Sequence, residues 1–237
     1  MTAAARPLAG RIALITGASR GIGRAVAKAF AEAGATVVAM ARTEGALIEL
    51  DDEVQALGLP PLVLAPADIA DGKAVDAAAA AIAARFGRLD ILLHAAAILG
   101  TLSPMSHIDP PEFERVIATN LTASWRILRA ADPLLRRAEA GRAVFLTSGA
   151  AHGVAYWGGY AVSKAALEAM VRTYAEEIAK TPVRANLFDP GAVRTRMRAT
   201  AFPGEDPATL PQPESLIPAL LSLVSPSCTQ NGCLIRA

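Results

Sequence analysis

Residues 11–34 read RIALITGASRGIGRAVAKAFAEAG. Ile12 to Ile15 are a short apolar run of strand type, Arg24 begins an alanine-rich helical run, and Gly34 closes it. Between them lies a glycine turn that includes Gly17, Ser19, Arg20, Gly21, Ile22 and Gly23. Strand, glycine turn and helix in that order make a phosphate cradle, because the first N–H groups of a helix have no intrahelical partner and carry partial positive charge. Those six residues are therefore expected to hold a dinucleotide pyrophosphate. Their spacing is Gly-x-x-x-Gly-x-Gly rather than Gly-x-Gly-x-x-Gly, and glycines also mark plain turns, so the assignment depends on what lies downstream.

Downstream, apolar runs alternate with helical ones. Residues 35–40 form a second strand, followed by a helix over 44–57, a third strand at 62–64, a helix over 72–86 and a fourth strand at 89–93. An NAD-preferring site usually places an acidic residue at the end of the second strand, about twenty residues beyond the glycines, to bind the ribose hydroxyls. Ala41 and Arg42 stand there instead. Arg42 with Arg20 suits a 2′-phosphate through charge-assisted hydrogen bonds, which favours NADP(H). The alternative is a solvated Arg42 with Glu44 as the ribose ligand of NAD.

A long helix is expected over 111–137, a fifth strand at 143–146, a sixth at 183–188, a last helix over 213–223 and a seventh strand at 232–235. After the fifth strand comes SGAAHGVAYWGGYAVSK, residues 148–164. The helix that starts at Tyr160 puts Tyr160 and Lys164 on one face, four residues apart. A free tyrosine has a pKa near 10 and is a poor acid or base at neutral pH; a neighbouring ammonium favours the phenolate and is expected to lower that value. Ser148, at the carboxyl end of its strand, adds a hydroxyl donor where ligands collect in open α/β sheets. An isolated YxxxK match is more often an ordinary helix-surface pair; its position after a nucleotide turn and a strand-end serine gives it chemical meaning.

Together the glycine turn, Ser148 and the Tyr160/Lys164 pair resemble the short-chain dehydrogenase/reductase family, over almost the whole chain from about Gly10. The spacing of the turn is the variant that family uses. Residues 194–207, RTRMRATAFPGEDP, look like the corresponding segment of YciK-type bacterial oxidoreductases. The resemblance implies a single doubly wound α/β Rossmann domain over residues 1–237, its mostly parallel seven-stranded sheet ordered 3-2-1-4-5-6-7 with helices on both faces. It implies hydride transfer between NADP(H) and a carbonyl or secondary alcohol. Ser148 would polarise the carbonyl, Tyr160 would exchange the proton, Lys164 would lower the tyrosine pKa while binding the nicotinamide ribose, and Asn120 would hold a water on the proton path.

Further cofactor contacts follow from the same resemblance. Asp68, with Ile69 beside it, would bind the adenine amino group, although Asp68 also precedes a helical run it could cap. His94, Ala95 and Ala96 would line the cofactor. Pro190 and Gly191 would turn the chain beneath the nicotinamide, and Val193 and Thr195 would hold the carboxamide, Thr195 alternatively a phosphate. Residues 94–97 read His-Ala-Ala-Ala where the family has Asn-Asn-Ala-Gly, which puts cofactor position in doubt: a positive φ at Ala97 would cost roughly a kilocalorie or more. A lone histidine in such a place is more often packed than catalytic.

From Arg194 to about Gln212 the chain is rich in proline, arginine and small residues without a regular period, and reads as a mobile lid over the substrate or as a plain irregular connection. Leu99, Tyr156, Trp157, Met197 and Phe202 suggest an apolar pocket, though each suits core or interface as well. The family pairs its alanine-rich helices across two-fold axes, so a homodimer or homotetramer is expected.

Composition excludes other classes. A net charge of +1 with no basic block gives no footprint for nucleic acid. The absence of a long apolar run argues against a membrane span and for the cytoplasm. Cys228 and Cys233 have no histidine near them, so a metal site is not expected and both thiols should be reduced. Two other readings remain at this point: a nucleotide-binding sensor or scaffold with little turnover, favoured by the altered turn at 94–97, and an epimerase or dehydratase, disfavoured because no sizeable C-terminal substrate domain follows.

Overall fold

The computed structural model describes residues 6–237. Seven strands form one sheet: β1 (Ile12–Thr16), β2 (Thr36–Ala41), β3 (Val63–Pro66), β4 (Ile91–His94), β5 (Arg142–Leu146), β6 (Arg184–Asp189) and β7 (Leu234–Arg236). Their order is β3-β2-β1-β4-β5-β6-β7, as expected, and all six pairings are parallel. Parallel strands need crossovers, and the intervening helices cover both faces of the sheet.

One face packs on α1 (Gly21–Glu32), α2 (Glu44–Ala56) and α8 (Ile217–Val224), with Phe30, Leu47, Leu50 and Leu220 in the core. The other packs on α3 (Gly72–Phe86), α5 (Ala123–Leu135) and α6 (Gly158–Glu177), with Ile82, Ile127, Leu167 and Val171. Strand residues alternate between these layers: Ala13 and Ile15 join the first, Ile12 and Leu14 the second. Phe30, Phe145 and Phe188 are fully buried, each worth roughly 1.5–3 kcal/mol of transfer free energy relative to exposure. Among the described residues no helix is long and apolar enough to cross a membrane.

Several expected elements differ in detail. The single helix expected over 111–137 is two, α4 (Pro110–Ile117) and α5, joined by a π turn at Ala118–Thr122. The helix expected to start at Tyr160 starts two residues earlier, at Gly158, and Gly158 and Gly159 pack where Cβ atoms would meet Ile108 at 2.2 Å and Phe113 at 3.3 Å. The segment expected to be irregular contains a helix, α7 (Arg196–Ala201), capped by Thr195, whose Oγ1 accepts from the Arg198 N–H at 3.1 Å. The strand order reverses between β2-β1 and β4-β5, and at that reversal the carboxyl ends of the strands open a crevice.

Candidate active site

A cleft of about 440 Å³ runs along the carboxyl edge of the sheet. Gly17, Ser19, Arg20, Gly21, Ile22 and Gly23 line it after β1, Ala95, Ala96 and Ala97 after β4, Ser148 after β5, and Pro190, Gly191, Val193 and Thr195 after β6. Arg42, Asp68, Ile69, Tyr160 and Lys164 also line it. Of the residues singled out in the sequence, His94 and Asn120 do not reach the cleft wall and are buried behind it, while Glu44, Tyr156 and Phe202, all exposed, do not line it either.

The glycine turn leaves no room for side chains. A Cβ on Gly23 would come within 2.3 Å of the Gly17 carbonyl oxygen, and one on Gly17 within 2.9 Å of Ala96 Cα. Gly17 and Gly21 also take positive φ values of 70° and 55°. Arg20 gives α1 no side-chain cap, so the first N–H groups of that helix are open to an anion. This bare, tightly folded turn fits a dinucleotide pyrophosphate. Arg20 is exposed at its rim, and Arg42 lies 3.7 Å from Asp68 across the mouth, both side chains well exposed. Asp68 does not cap α3: its Oδ1 accepts from the Ala70 N–H, and Asp71 supplies the cap through the N–H groups of Lys73 and Ala74.

At the other end of the cleft, Tyr160 is 7 % exposed and Lys164 4 %. Lys164 Nζ donates to the Leu146 carbonyl at 2.7 Å, tying α6 to the end of β5, and lies 5.7 Å from the centre of the Tyr160 ring. Ser148 Oγ accepts from the Ala150 N–H at 3.2 Å, which fixes the hydroxyl at the start of a short 3-10 turn, Gly149–His152.

Here the expected pKa direction is reversed. Burial pushes the Tyr160 phenol up to about 12; the Ser148 hydroxyl offsets part of that rise and the nearby Asp189 adds to it. Burial also pulls Lys164 down to about 8. Desolvation penalises whichever form is charged, so it outweighs the attraction between ammonium and phenolate that the spacing alone suggested.

Asn120 sits in the π turn, and π turns insert one residue and re-aim what they carry. Its Oδ1 accepts from the Ile98 N–H at 2.9 Å, and its Nδ2 donates to the Ile98 carbonyl at 2.9 Å and to Ser163 Oγ at 3.1 Å. Both Nδ2 hydrogens are thereby used on protein, so a water held by Asn120 would donate to its Oδ1 or to its main-chain carbonyl. Asn120 also ties the segment after β4 to α6, and Ser163 passes the restraint on by donating to the Tyr160 carbonyl at 2.7 Å.

His94 belongs to a directed hydrogen-bond chain. Ser124 Oγ donates to the Asn120 carbonyl at 2.6 Å, so it accepts from His94 Nε2 at 2.8 Å. Nδ1 is then the acceptor for Thr16 Oγ1 at 2.8 Å, and Thr16 in turn accepts from the Ala96 N–H at 3.3 Å. Burial and the Lys164 charge pull the His94 pKa down to about 3, which keeps the ring neutral and this one tautomer in place. Ala97 takes no positive φ; among described residues other than glycine only Tyr156 does, so the strain expected at Ala97 is absent.

Four participants had fainter signals in the sequence. Glu168, buried and four residues beyond Lys164 on the same helix face, accepts from Thr147 Oγ1 at 2.9 Å and from Arg172 at 2.9 Å. Asp189 directly precedes Pro190-Gly191, and its Oδ1 accepts from the Gly191 N–H at 3.1 Å. Arg196 and Arg198, from the segment without a period, line the cleft.

The family model for short chain dehydrogenase matches residues 11–206. The chain is 37 % identical over 217 residues to the uncharacterised oxidoreductase YciK of Escherichia coli strain K12, covering 90 % of this chain and 86 % of that protein. A solved structure from Pseudomonas syringae, assigned as a short chain dehydrogenase, superposes with a TM-score of 0.95 at 40 % identity, covering 99 % of this chain and 97 % of the other. Another so assigned, from Escherichia coli CFT073 and complexed with NADPH, gives 0.94 at 36 % identity, covering 99 % of each chain.

Proposed function

The chain belongs to the short-chain dehydrogenase family, and from that premise we propose that it reduces a carbonyl compound with NADPH, or runs the reverse oxidation of a secondary alcohol, with Tyr160 as the proton donor or acceptor. The observation that carries this reading is that Ser148, Tyr160 and Lys164 line one cleft with a bare glycine turn built to take a pyrophosphate.

In the reduction, the bound dinucleotide supplies the hydride. Ser148 Oγ donates a hydrogen bond to the substrate carbonyl oxygen, and Tyr160 delivers its proton to that oxygen as negative charge develops there. Lys164, fixed by the Leu146 carbonyl, keeps donors for the ribose hydroxyls and stabilises the phenolate that forms. Asn120, out of the cleft, acts as a positioning residue for α6. Arg20 and Arg42 hold the 2′-phosphate and Asp68 the adenine, which gives preference to NADP(H); NADPH bound in a structural relative supports the choice.

A silent nucleotide-binding scaffold loses its main support, because Ala97 is unstrained. Two-fold assembly through α5 and α6 fits their outer faces, where Trp125 and Val162 are 50 % and 39 % exposed. The whole chain is read as one Rossmann domain with residues 194–212 as its substrate lid, working in the cytoplasm.

The test is a spectrophotometric panel of ketones, aldehydes and secondary alcohols run side by side with NADPH and NADH. Turnover of at least one carbonyl class, faster with NADPH, is the expected result. Nucleotide binding without turnover across the panel contradicts the redox reading, and a preference for NADH contradicts the role of Arg20 and Arg42.

A further inference from the structure

The end of the cleft beyond Tyr160 is built from aromatic and aliphatic groups. Trp157 stands with its ring centre 5.7 Å from that of Tyr160 and 5.8 Å from that of Phe202, both pairs tilted. Leu99, Met197 and Ala201 pack into the same small cluster as Tyr160. Phe202, 37 % exposed, stands behind Trp157 and outside the residues that line the cleft.

The charge nearest this apolar wall is already spent. Arg198 donates from Nε and Nη2 to the two carboxylate oxygens of Glu205, each at 2.6 Å, and its guanidinium lies 3.7 Å from the Phe202 ring centre. An anionic substrate reaching the remaining Nη1 donors of Arg198 would meet the Glu205 carboxylate on the same guanidinium, so the pair offers it little net charge. The other cations of the cleft serve elsewhere. Lys164 is committed to the Leu146 carbonyl, and Arg20 and Arg42 belong to the nucleotide end. Arg196 lies about 160° around α7 from Arg198, on the flank it shares with Thr200, and follows Thr195, which packs beside Gly21 of the phosphate turn.

From this we infer that the substrate is an uncharged carbonyl compound bearing an aromatic or bulky apolar group, seated against Trp157, Leu99 and Met197 of the cleft wall with its carbonyl at Tyr160, and that Trp157 sets the preference. The inference rests on the reading of Tyr160 as proton donor, and it narrows that reading to one substrate class. A planar apolar group in this place buries its faces on tilted rings, and offset or edge-to-face pairs gain beyond the buried area alone. A carboxylate in the same place would lose water, and the guanidinium beside the aromatic wall, that of Arg198, is already neutralised by Glu205.

The test uses the full chain with two matched aryl ketones, acetophenone and benzoylformate, which differ by a carboxylate, and acetone as the small reference. With NADPH, kcat/KM should favour acetophenone over acetone by roughly a hundredfold, the yield of burying one phenyl ring, and over benzoylformate by at least about tenfold. Trp157→Ala should cut the acetophenone-to-acetone ratio by about tenfold or more, and Trp157→Phe should restore most of it.

A second readout is independent of turnover. Trp125 and Trp157 are the two tryptophans of the chain, so in a Trp125→Phe background the emission reports Trp157 alone. With NADP⁺ present, acetophenone should change that emission and benzoylformate should not. A preference for benzoylformate, or a Trp157→Ala ratio equal to wild type, overturns the substrate class and leaves the hydride-transfer reading standing. An emission response to acetophenone with no turnover of any carbonyl does the converse: the apolar subsite stands and the redox reading falls. No response and no aryl preference overturns the subsite itself.

Discussion

Burial acts on Tyr160 and Lys164 with one physics and opposite signs. It holds the phenol protonated, with a pKa near 12, and brings the ammonium down to about 8. In the direction of carbonyl reduction Tyr160 therefore carries its proton at every working pH, and the group that titrates is Lys164. Below about pH 8 Lys164 is charged and can stabilise the phenolate formed as the proton leaves; above it that help is lost. The rate of reduction at saturating NADPH should stay level on the acid side and fall as pH rises through about 8. Lys164→Met should be slower throughout and lack that inflection; the same inflection in the variant would assign it to another group. The spacing of Tyr160 and Lys164 was legible in the sequence because a helix repeats every 3.6 residues. The sign of the tyrosine shift was not, because it depends on how completely the sheet edge and the helix cover the ring, and on Asp189, which is distant in the chain.

At the scale of elements, the π turn between α4 and α5 and the strand end at His94 are held as one unit. The chain from the Ala96 N–H through Thr16, His94 and Ser124 to the Asn120 carbonyl joins the segment after β4 to the π turn, and Asn120 Nδ2, donating to Ser163 Oγ, extends it to the helix carrying Tyr160. Replacing His94 with Leu would leave the buried Thr16 O–H without its acceptor and Ser124 Oγ without the donor it accepts from, a loss of roughly 1–3 kcal/mol for each group left unsatisfied. The pH dependence identifies the ring as the source. Its folded pKa near 3 lies below the unfolded value of 6.5, so the unfolded chain binds more protons as pH falls. The stabilisation is fully present above about pH 6.5 and is lost as pH drops toward 3. Urea unfolding at about pH 7 and about pH 5 should show the wild type losing more stability than His94→Leu between the two; equal losses would contradict a neutral buried ring. From the sequence His94 reads as a packed residue outside the chemistry, and that much was available without coordinates. The π turn was not, since one inserted residue leaves the apolar period of a long helix nearly intact, and only the polar Asn120 interrupts it.

Over the whole molecule, strand order and helix placement were the most legible features. A parallel sheet covered on both faces writes itself as apolar runs separated by helical ones, and the order of strands followed from the family resemblance. Contacts between segments far apart in the chain left no local trace. Arg11, at the start of β1, donates to the carbonyls of Val224, Asp90 and Ala140 and closes the amino edge of the sheet, where the sequence shows only an arginine before an apolar run. The clasp of Arg198 on Glu205 and Phe202 is of the same kind: a composition rich in arginine and proline suggested an irregular segment, and side-chain pairing made it a capped helix with a turn.

All of this places one phenol at the meeting point of the apolar subsite and the nucleotide turn, and the whole architecture is read as serving its proton. The direct measurement is the single-turnover oxidation of NADPH by an aryl ketone in wild type and in Tyr160→Phe, with NADPH binding measured on both proteins. Loss of the proton donor should slow the step by at least about a hundredfold while cofactor affinity stays within a few-fold of wild type. A Tyr160→Phe protein that binds NADPH and reduces the ketone at the wild-type rate would contradict the account.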